Sequence, residues 1–180
     1  MPRNVEIKAR ISSVAALLPA VKQIADQGPC EIVQEDSYFA CPTGRLKLRK
    51  FSATAGELIY YRRDPQLAPK ESYYLRSSTT EPESLRLVLT TAYGEVGRVA
   101  KRRTLFMAGR TRIHLDQVSG LGDFLELEVM LEEHEPAPAG VREAHGLLAR
   151  LGVNSSQLIA GGYADLVVAG GAAPATQPGT

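Results

Sequence analysis

Six segments of this chain place charged residues at alternate positions. "VEIKAR" presents Glu6 and Lys8, "RLKLRKF" presents Lys47 and Arg49, and "ELIYYRR" presents Arg63 beyond Ile59 and Tyr61. "VAKRRTLF" presents Lys101 and Arg103, "RTRIHLD" presents Arg112, His114 and Asp116, and "FLELEVM" presents Glu126 and Glu128. Side chains on a strand alternate between faces, so each set points one way. Positions in between are mostly apolar, among them Val5, Ile7, Leu46, Leu48, Leu125, Leu127 and Val129. For any single strand, a solvated face accounts for such alternation. The six together do not fit that account well. Ordinary wet faces mix Thr, Ser, Gln, Lys and Glu, whereas here bases cluster on some strands and acids on others.

The order of segments implies an α+β fold. A strand over residues 3–11 is followed by Ser12 and Ser13 as helix caps. Val14, Leu17, Leu18, Val21 and Ile24 then recur at helical spacing, with Pro19 expected to kink or shorten the helix. "CEIVQEDSYFA", "RLKLRKF", "ELIYYRRD" and "KESYYLRS" read as successive strands, with "PQLAP" as a loop. Pro82 opens a second helix and Gly94 closes it. Three more strands follow, "VGRVAKRRTLFMA", "RTRIHLDQV" and "FLELEVMLEE". "PAPAG" reads as a linker into a helix over Val141–Leu151, and a last short helix is expected near 155–167. About eight antiparallel strands suffice to close a barrel, which removes sheet edges. The expectation is an eight-stranded antiparallel closed β-barrel with flanking helices, one domain over 1–167, and a disordered tail over 168–180, which lacks large apolar residues.

Charge narrows the partners. The net charge is +1, which argues against a nucleic-acid binder. The charges are nonetheless segregated. Six bases and one acid lie between Arg45 and Arg63, six bases and no acid between Arg98 and Arg112, and seven acids with no base between Asp116 and Glu135. No secretory leader or membrane-length apolar run is visible, so a cytoplasmic protein without a membrane partner is expected. Cys30 and Cys41 lack metal spacing and read as ordinary small residues.

A barrel would bring the charged faces together around a lumen with a basic wall and a smaller acidic patch. Cations confined there repel one another unless an anion joins them. A triphosphate suits them, gripped by Arg forks. The acids would repel that guest unless a divalent cation intervened. Glu6, Glu126 and Glu128 offer hard oxygen donors suited to Mg²⁺ or Mn²⁺.

These residues also resemble the CYTH superfamily, the triphosphate tunnel metalloenzymes. The resemblance runs from about residue 2 to 167. It rests on "NVEIK", "QEDSYF", "GRLKLR", "LIYYRRD", "PKESYY", "VAKRR", "RTRIHLDQVSGLGDFLELEV" and "GGYADLV", in that order. It implies the eight-stranded tunnel fold, with Glu6, Glu126 and Glu128 as metal ligands and Mg²⁺ or Mn²⁺ as cofactor. It implies Lys8, Lys47, Arg49, Arg63, Lys101, Arg103 and Arg112 as phosphate clamps. Asp116 would be a second metal-site or water-orienting carboxylate, grouped with Lys101 and Arg112 as catalytic. Tyr38, Tyr163 and Asp165 match family positions, and His114 shares the charged face, reading most simply as a satisfied lumen histidine. One departure stands out: the family begins Glu-x-Glu-x-Lys, and here the first acid is Asn4.

Three functions follow. The first is a metal-dependent phosphohydrolase acting on inorganic triphosphate, a nucleoside triphosphate or thiamine triphosphate. The second is a class IV adenylyl cyclase, forming cyclic AMP and pyrophosphate from ATP. The third is a binding module that holds a polyphosphate or nucleotide without turnover. A homodimer is compatible with such a domain, but no face of the sequence demands it.

Overall fold

The computed structural model describes residues 3–63 and 69–169. Eight strands form a closed antiparallel ring: β1 (Arg3–Arg10), β2 (Gln27–Phe39), β3 (Arg45–Ser52), β4 (Ala55–Arg63), β5 (Lys70–Thr79), β6 (Glu95–Ala108), β7 (Thr111–Val118) and β8 (Gly122–Leu131). Strands β2 to β5 make one meander and β6 to β8 a second. Pairing of β2 with β6 joins the meanders on one side. On the other side β1 lies between β5 and β8 and completes the ring.

The apolar core lies outside this ring. Val5, Ile7, Phe106, Ile113, Leu115, Leu125, Leu127 and Val129 point outward from β1, β6, β7 and β8. They pack against Val21 of α1 (Val14–Ile24) and Ala144, Leu147 and Leu148 of α3 (Ala137–Arg150). Leu85 and Leu89 of α2 (Pro82–Tyr93) cover Phe39, Leu48 and Leu58 in a second cluster. The alternation seen in the sequence is thus resolved with apolar residues facing the helices and charged residues facing the lumen. Among the described residues no helix is long and apolar enough to cross a membrane.

Helix boundaries differ from expectation at three places. Ser13 caps α1 as expected, its hydroxyl accepting from the Ala16 N–H at 3.1 Å. Pro19, however, does not shorten the helix, which continues to Ile24. Pro19 and Ala15 are both exposed, so the carbonyl deprived of its partner faces water. Helix α3 starts at Ala137, inside the presumed linker, because Pro138 falls in a first turn that tolerates proline. The last helix is split. A 3₁₀ turn spans Ser155–Gln157, Leu158 then bridges to Ala9, and Ile159 donates to the Lys8 carbonyl. Gly161, at φ 78°, makes the turn into α4 (Tyr163–Ala169). Most of the expected "PQLAP" loop and the tail from residue 170 lie outside the described residues.

Gly140 sets how closely α3 approaches the ring. A Cβ there would lie 2.9 Å from Val5 Cγ2 and 2.9 Å from Leu131 Cδ2. Val5 is fully buried and stiff at χ1, so it cannot give way freely. Gly140→Ala should therefore destabilise the fold by about 1–3 kcal/mol, despite the better helix propensity of alanine. Urea unfolding checks this, and an unchanged or raised midpoint would show that the helix can shift outward.

Candidate active site

The lumen is a cavity of about 340 Å³ with every strand contributing to its wall. Strand β1 supplies Asn4, Glu6 and Lys8; β3 supplies Lys47 and Arg49; β6 supplies Lys101 and Arg103; β7 supplies Arg112 and His114; β8 supplies Glu126 and Glu128. Asp36 and Asp116 lie buried behind this surface on the same strand faces. Five of the six charged segments therefore converge, and the "ELIYYRR" segment reaches the lumen through Glu57, Ile59 and Tyr61. For Arg63 only the backbone is described. It pairs with Ser72, two residues beyond lumen-facing Tyr61, while the Arg62 side chain is exposed.

Register decides which charges meet. Glu6 stands opposite Glu128, and Lys8 opposite Glu126. Arg112 stands opposite Glu128, and His114 opposite Glu126. Lys8 Nζ reaches Glu126 Oε1 at 2.5 Å. Arg103 Nη2 reaches Glu126 Oε2 at 2.6 Å. Arg112 touches Glu128 only at 3.4 Å. Among the described lumen groups, seven cations (Lys8, Lys47, Arg49, Arg76, Lys101, Arg103 and Arg112) face six carboxylates (Glu6, Asp36, Glu57, Asp116, Glu126 and Glu128). The charges of these described groups thus nearly balance.

Two fully enclosed aspartates hold the basic wall. Asp36 receives Arg49 Nε at 2.8 Å, Arg49 Nη2 at 3.0 Å and Lys47 Nζ at 3.0 Å. Asp116 receives Arg103 Nε and Nη2, each at 2.6 Å, Lys101 Nζ at 3.3 Å and the Tyr163 hydroxyl at 2.7 Å. Burial by itself would raise both carboxyl pKa values. The adjoining Arg49 and Lys47, and Arg103 and Lys101, override it and hold both acids ionised, below the usual carboxylate range. Burial and the neighbouring guanidinium act on the lysines in the opposite sense. Lys47 is lowered to about 8 by burial and Arg49, and Lys101 to about 7 by burial and Arg103.

Asp36 escaped the sequence reading although "QEDSYF" was singled out for Tyr38. Its signal was parity: Gln34, Asp36 and Tyr38 share one face. Arg76 and Glu57 were missed too, because each stands six residues from the next charge of the same strand parity, Lys70 and Arg63, rather than in a run at alternate positions.

One end of the lumen is closed. Tyr163 packs edge-on against Phe124, with ring centroids 5.0 Å apart, and joins a buried cluster with Tyr38, Val99 and Val118. Lys8 and Lys101 place their ammonium groups 4.1 Å and 4.7 Å from the Tyr163 ring centre. Helix α4 is fixed there by Asp165, which accepts from the Gly162 N–H at 2.8 Å and pairs with Arg45 at 2.7 and 3.1 Å. Tyr163 is thus both a buried packing residue and part of the lumen wall at this end. Following the strands away from it leads to Ile32, Phe51 and Leu105, an apolar mouth flanked by Arg76, Arg112 and Glu57.

On the acidic side, donor atoms of His114, Glu126 and Glu128 all lie within 4.8 Å of one another. Burial first, and the nearby Arg103 next, lower the His114 pKa and favour the neutral ring. His114 Nδ1 is buried without a hydrogen-bond partner, so this is not the satisfied lumen histidine expected.

The CYTH domain model matches residues 2–163. The chain belongs to the CYTH domain family. An adenylate cyclase, CyaB, from Aeromonas hydrophila is 28% identical over 170 residues, covering 91% of this chain and 87% of that protein. A Pyrococcus horikoshii protein of solved structure superposes with a TM-score of 0.79 at 24% identity, covering 91% of this chain and 98% of its own. A Hippeastrum protein described as an adenylyl cyclase with a dominant triphosphatase activity superposes at 0.63 and 15% identity, covering 97% and 98%. The ring seen here is the CYTH tunnel fold, with Asn4 buried on the wall two residues before Glu6.

The depressed lysines of this CYTH tunnel fix a pH dependence. Between about pH 7 and 10 the unfolded chain holds protons on Lys47 and Lys101 that the folded chain has partly released. Stability rises with pH wherever the unfolded state binds more protons. The melting temperature in metal-free, polyanion-free buffer should therefore rise from pH 7 to pH 9. A flat or falling profile would mean that both lysines stay charged in the empty lumen.

Proposed function

We propose that this CYTH domain is a divalent-metal-dependent enzyme that hydrolyses a triphosphate. The observation that carries the reading is the exchangeable pairing of the lumen: cations able to grip phosphate oxygens are already in position, parked on carboxylates. Lys8, Lys47, Arg49, Lys101, Arg103 and Arg112, with Arg63 by strand parity, would bind the phosphate chain. The deepest phosphate would meet Lys8 and Lys101 beside Tyr163. Asp116 and Asp36 are already engaged by the cations, so in this reading they hold the clamps in place and do not touch the metal. That revises the water-orienting or second-metal role expected for Asp116.

A near-neutral lumen cannot by itself offset a triphosphate, and this is the physical reason a metal belongs in the reaction. Glu126 and Glu128, whose donor atoms gather on one wall, suit a divalent cation such as Mg²⁺ or Mn²⁺, and Glu6, opposite Glu128 in register but outside that gathered set, would have to move to join them. When bound, such an ion neutralises phosphate charge and lends Lewis acidity to the transfer. The chain's own contribution is alignment of the triphosphate and stabilisation of charge on the transferring and leaving oxygens, through fixed guanidinium and ammonium groups in a water-poor lumen.

A cyclase reading is supported by the apolar mouth at Ile32, Phe51 and Leu105, which could seat a base, and by the likeness to an adenylate cyclase. Product analysis by phosphorus NMR, with ATP and with inorganic triphosphate plus Mg²⁺ or Mn²⁺, separates the readings. Orthophosphate release supports the hydrolase, and cyclic AMP with pyrophosphate the cyclase. Tight triphosphate binding with no product leaves a binding module.

Glu128→Gln is the cleaner acid substitution, because Glu126 also anchors Lys8 and Arg103. It should lower metal-dependent turnover by about 100-fold or more while leaving metal-free triphosphate binding, read by calorimetry, within about threefold. Unchanged turnover would remove Glu128 from the metal site. Phe51→Ala should raise KM for ATP by about 3–10-fold and leave that for inorganic triphosphate unchanged, since only a nucleoside reaches the mouth. Equal effects on both would place no base there.

A further inference from the structure

Two buried side-chain polar atoms without a hydrogen-bond partner stand out among the described residues, and both belong to the tunnel wall: Asn4 Oδ1 and His114 Nδ1. His114 is 3% exposed, so water does not readily compensate its ring nitrogen. The ring is aimed at acids. Nδ1 lies 3.6 Å from Glu126 Oε2 and 3.8 Å from Glu128 Oε1. Both separations are too long for hydrogen bonds. They are close to the spacing that donors take around a shared cation. Bonds of about 2.1 Å to a tetrahedral or octahedral centre put neighbouring donors about 3.0–3.4 Å apart, so small movements would close the site.

We propose that His114 is a nitrogen ligand to the divalent ion held by Glu126 and Glu128, so that this tunnel carries a mixed nitrogen–oxygen site that favours Mn²⁺, Co²⁺ or Zn²⁺ over Mg²⁺. The inference rests on the metal dependence proposed above and deepens it. Imidazole suits first-row transition ions, whereas Mg²⁺ favours oxygen donors and keeps its water. Asn4 offers an amide oxygen without charge, so β1 contributes less to holding an oxygen-loving ion, and a nitrogen from β7 adds affinity without adding negative charge beside the phosphates. Ligation through Glu126 Oε2 requires Arg103 to release that oxygen. Arg103 keeps its two-point grip on Asp116 when it does so. The Glu128 carboxylate needs less rearrangement, since its contact with Arg112 is long.

The test uses the full chain and Mn²⁺ as a spectroscopic probe. Pulsed electron paramagnetic resonance of the Mn²⁺-loaded protein should show hyperfine coupling to one directly bound nitrogen, and ¹⁵N-histidine labelling should change its pattern. Competition calorimetry should show Mn²⁺ binding at least about tenfold more tightly than Mg²⁺. In His114→Gln the nitrogen coupling should vanish and Mn²⁺ affinity fall at least about tenfold, with Mg²⁺ affinity changed less than about threefold. Mn²⁺ bound without nitrogen coupling in the unsubstituted protein would overturn the proposal while leaving the carboxylate metal site intact. Coupling that survives in His114→Gln would overturn it also. Absence of any Mn²⁺ binding, with or without inorganic triphosphate, would overturn the metal-dependent reading together with it. The measurement on the unsubstituted chain does not depend on how well the variant folds.

Discussion

Asp36 and Asp116 are the groups around which the tunnel is arranged. Each is almost wholly removed from water, and each is gripped by a lysine and a forked arginine from the strands beside it. An isolated buried carboxylate would protonate, and isolated buried cations would force the ring apart. Brought together, they let a barrel carry charge where most proteins carry hydrocarbon. The geometry is strict because the partners come from adjacent strands in fixed register: Asp36 opposite Arg49, and Asp116 opposite Arg103. A slip by one residue would place the cations against the helices and the leucines in the lumen.

That inversion explains where stability and function reside. The outer face of β1, β7 and β8 supplies the apolar core with α1 and α3, so the inner face need not be apolar. The lumen is left free to be chemical. Strand β1 matters most in this division. Its position between β5 and β8 closes the ring and sets Glu6 and Lys8 beside Glu128 and Glu126. The acidic patch is thereby made by two strands far apart in sequence, and it adjoins the basic wall along one seam.

Much of this was legible in the sequence, for a definite reason. Alternation at period two is local, and six charged segments could be assigned to a single face without knowing which strands pair. The number of strands and the family motifs then implied a tunnel. What was not legible depends on distance across the ring. An unpaired set of cations awaiting an anion was expected, whereas the structure pairs them with acids. Only parity separates buried Asp36, which shares a face with Gln34 and Tyr38, from Glu31 and Glu35 beside it, and parity does not say which cations that acid will meet. Asp165 could not be understood before Arg45, 120 residues away, was placed beside it. The early start of α3 was hidden by "PAPAG", which looks like a linker until Pro138 is seen in a first turn.

The ion pairs of the tunnel also bear on how the proposed ligands would bind. Glu126 is held at both oxygens by Lys8 and Arg103, whereas Glu128 meets Arg112 at 3.4 Å and His114 at 3.8 Å. If the proposed metal dependence holds, a cation approaching the acidic wall would meet Glu128 and the His114 nitrogen first, and Glu126 only as Lys8 and Arg103 leave it. A phosphate chain gives those partners somewhere to go, since Lys8 and Arg103 exchange a carboxylate for phosphate oxygens of similar hydrogen-bonding geometry. In that reading each ligand would release a group that the other requires. Cation and polyanion should then bind cooperatively to this lumen, with the coupling passing through Lys8 and Arg103, the two side chains that Glu126 holds.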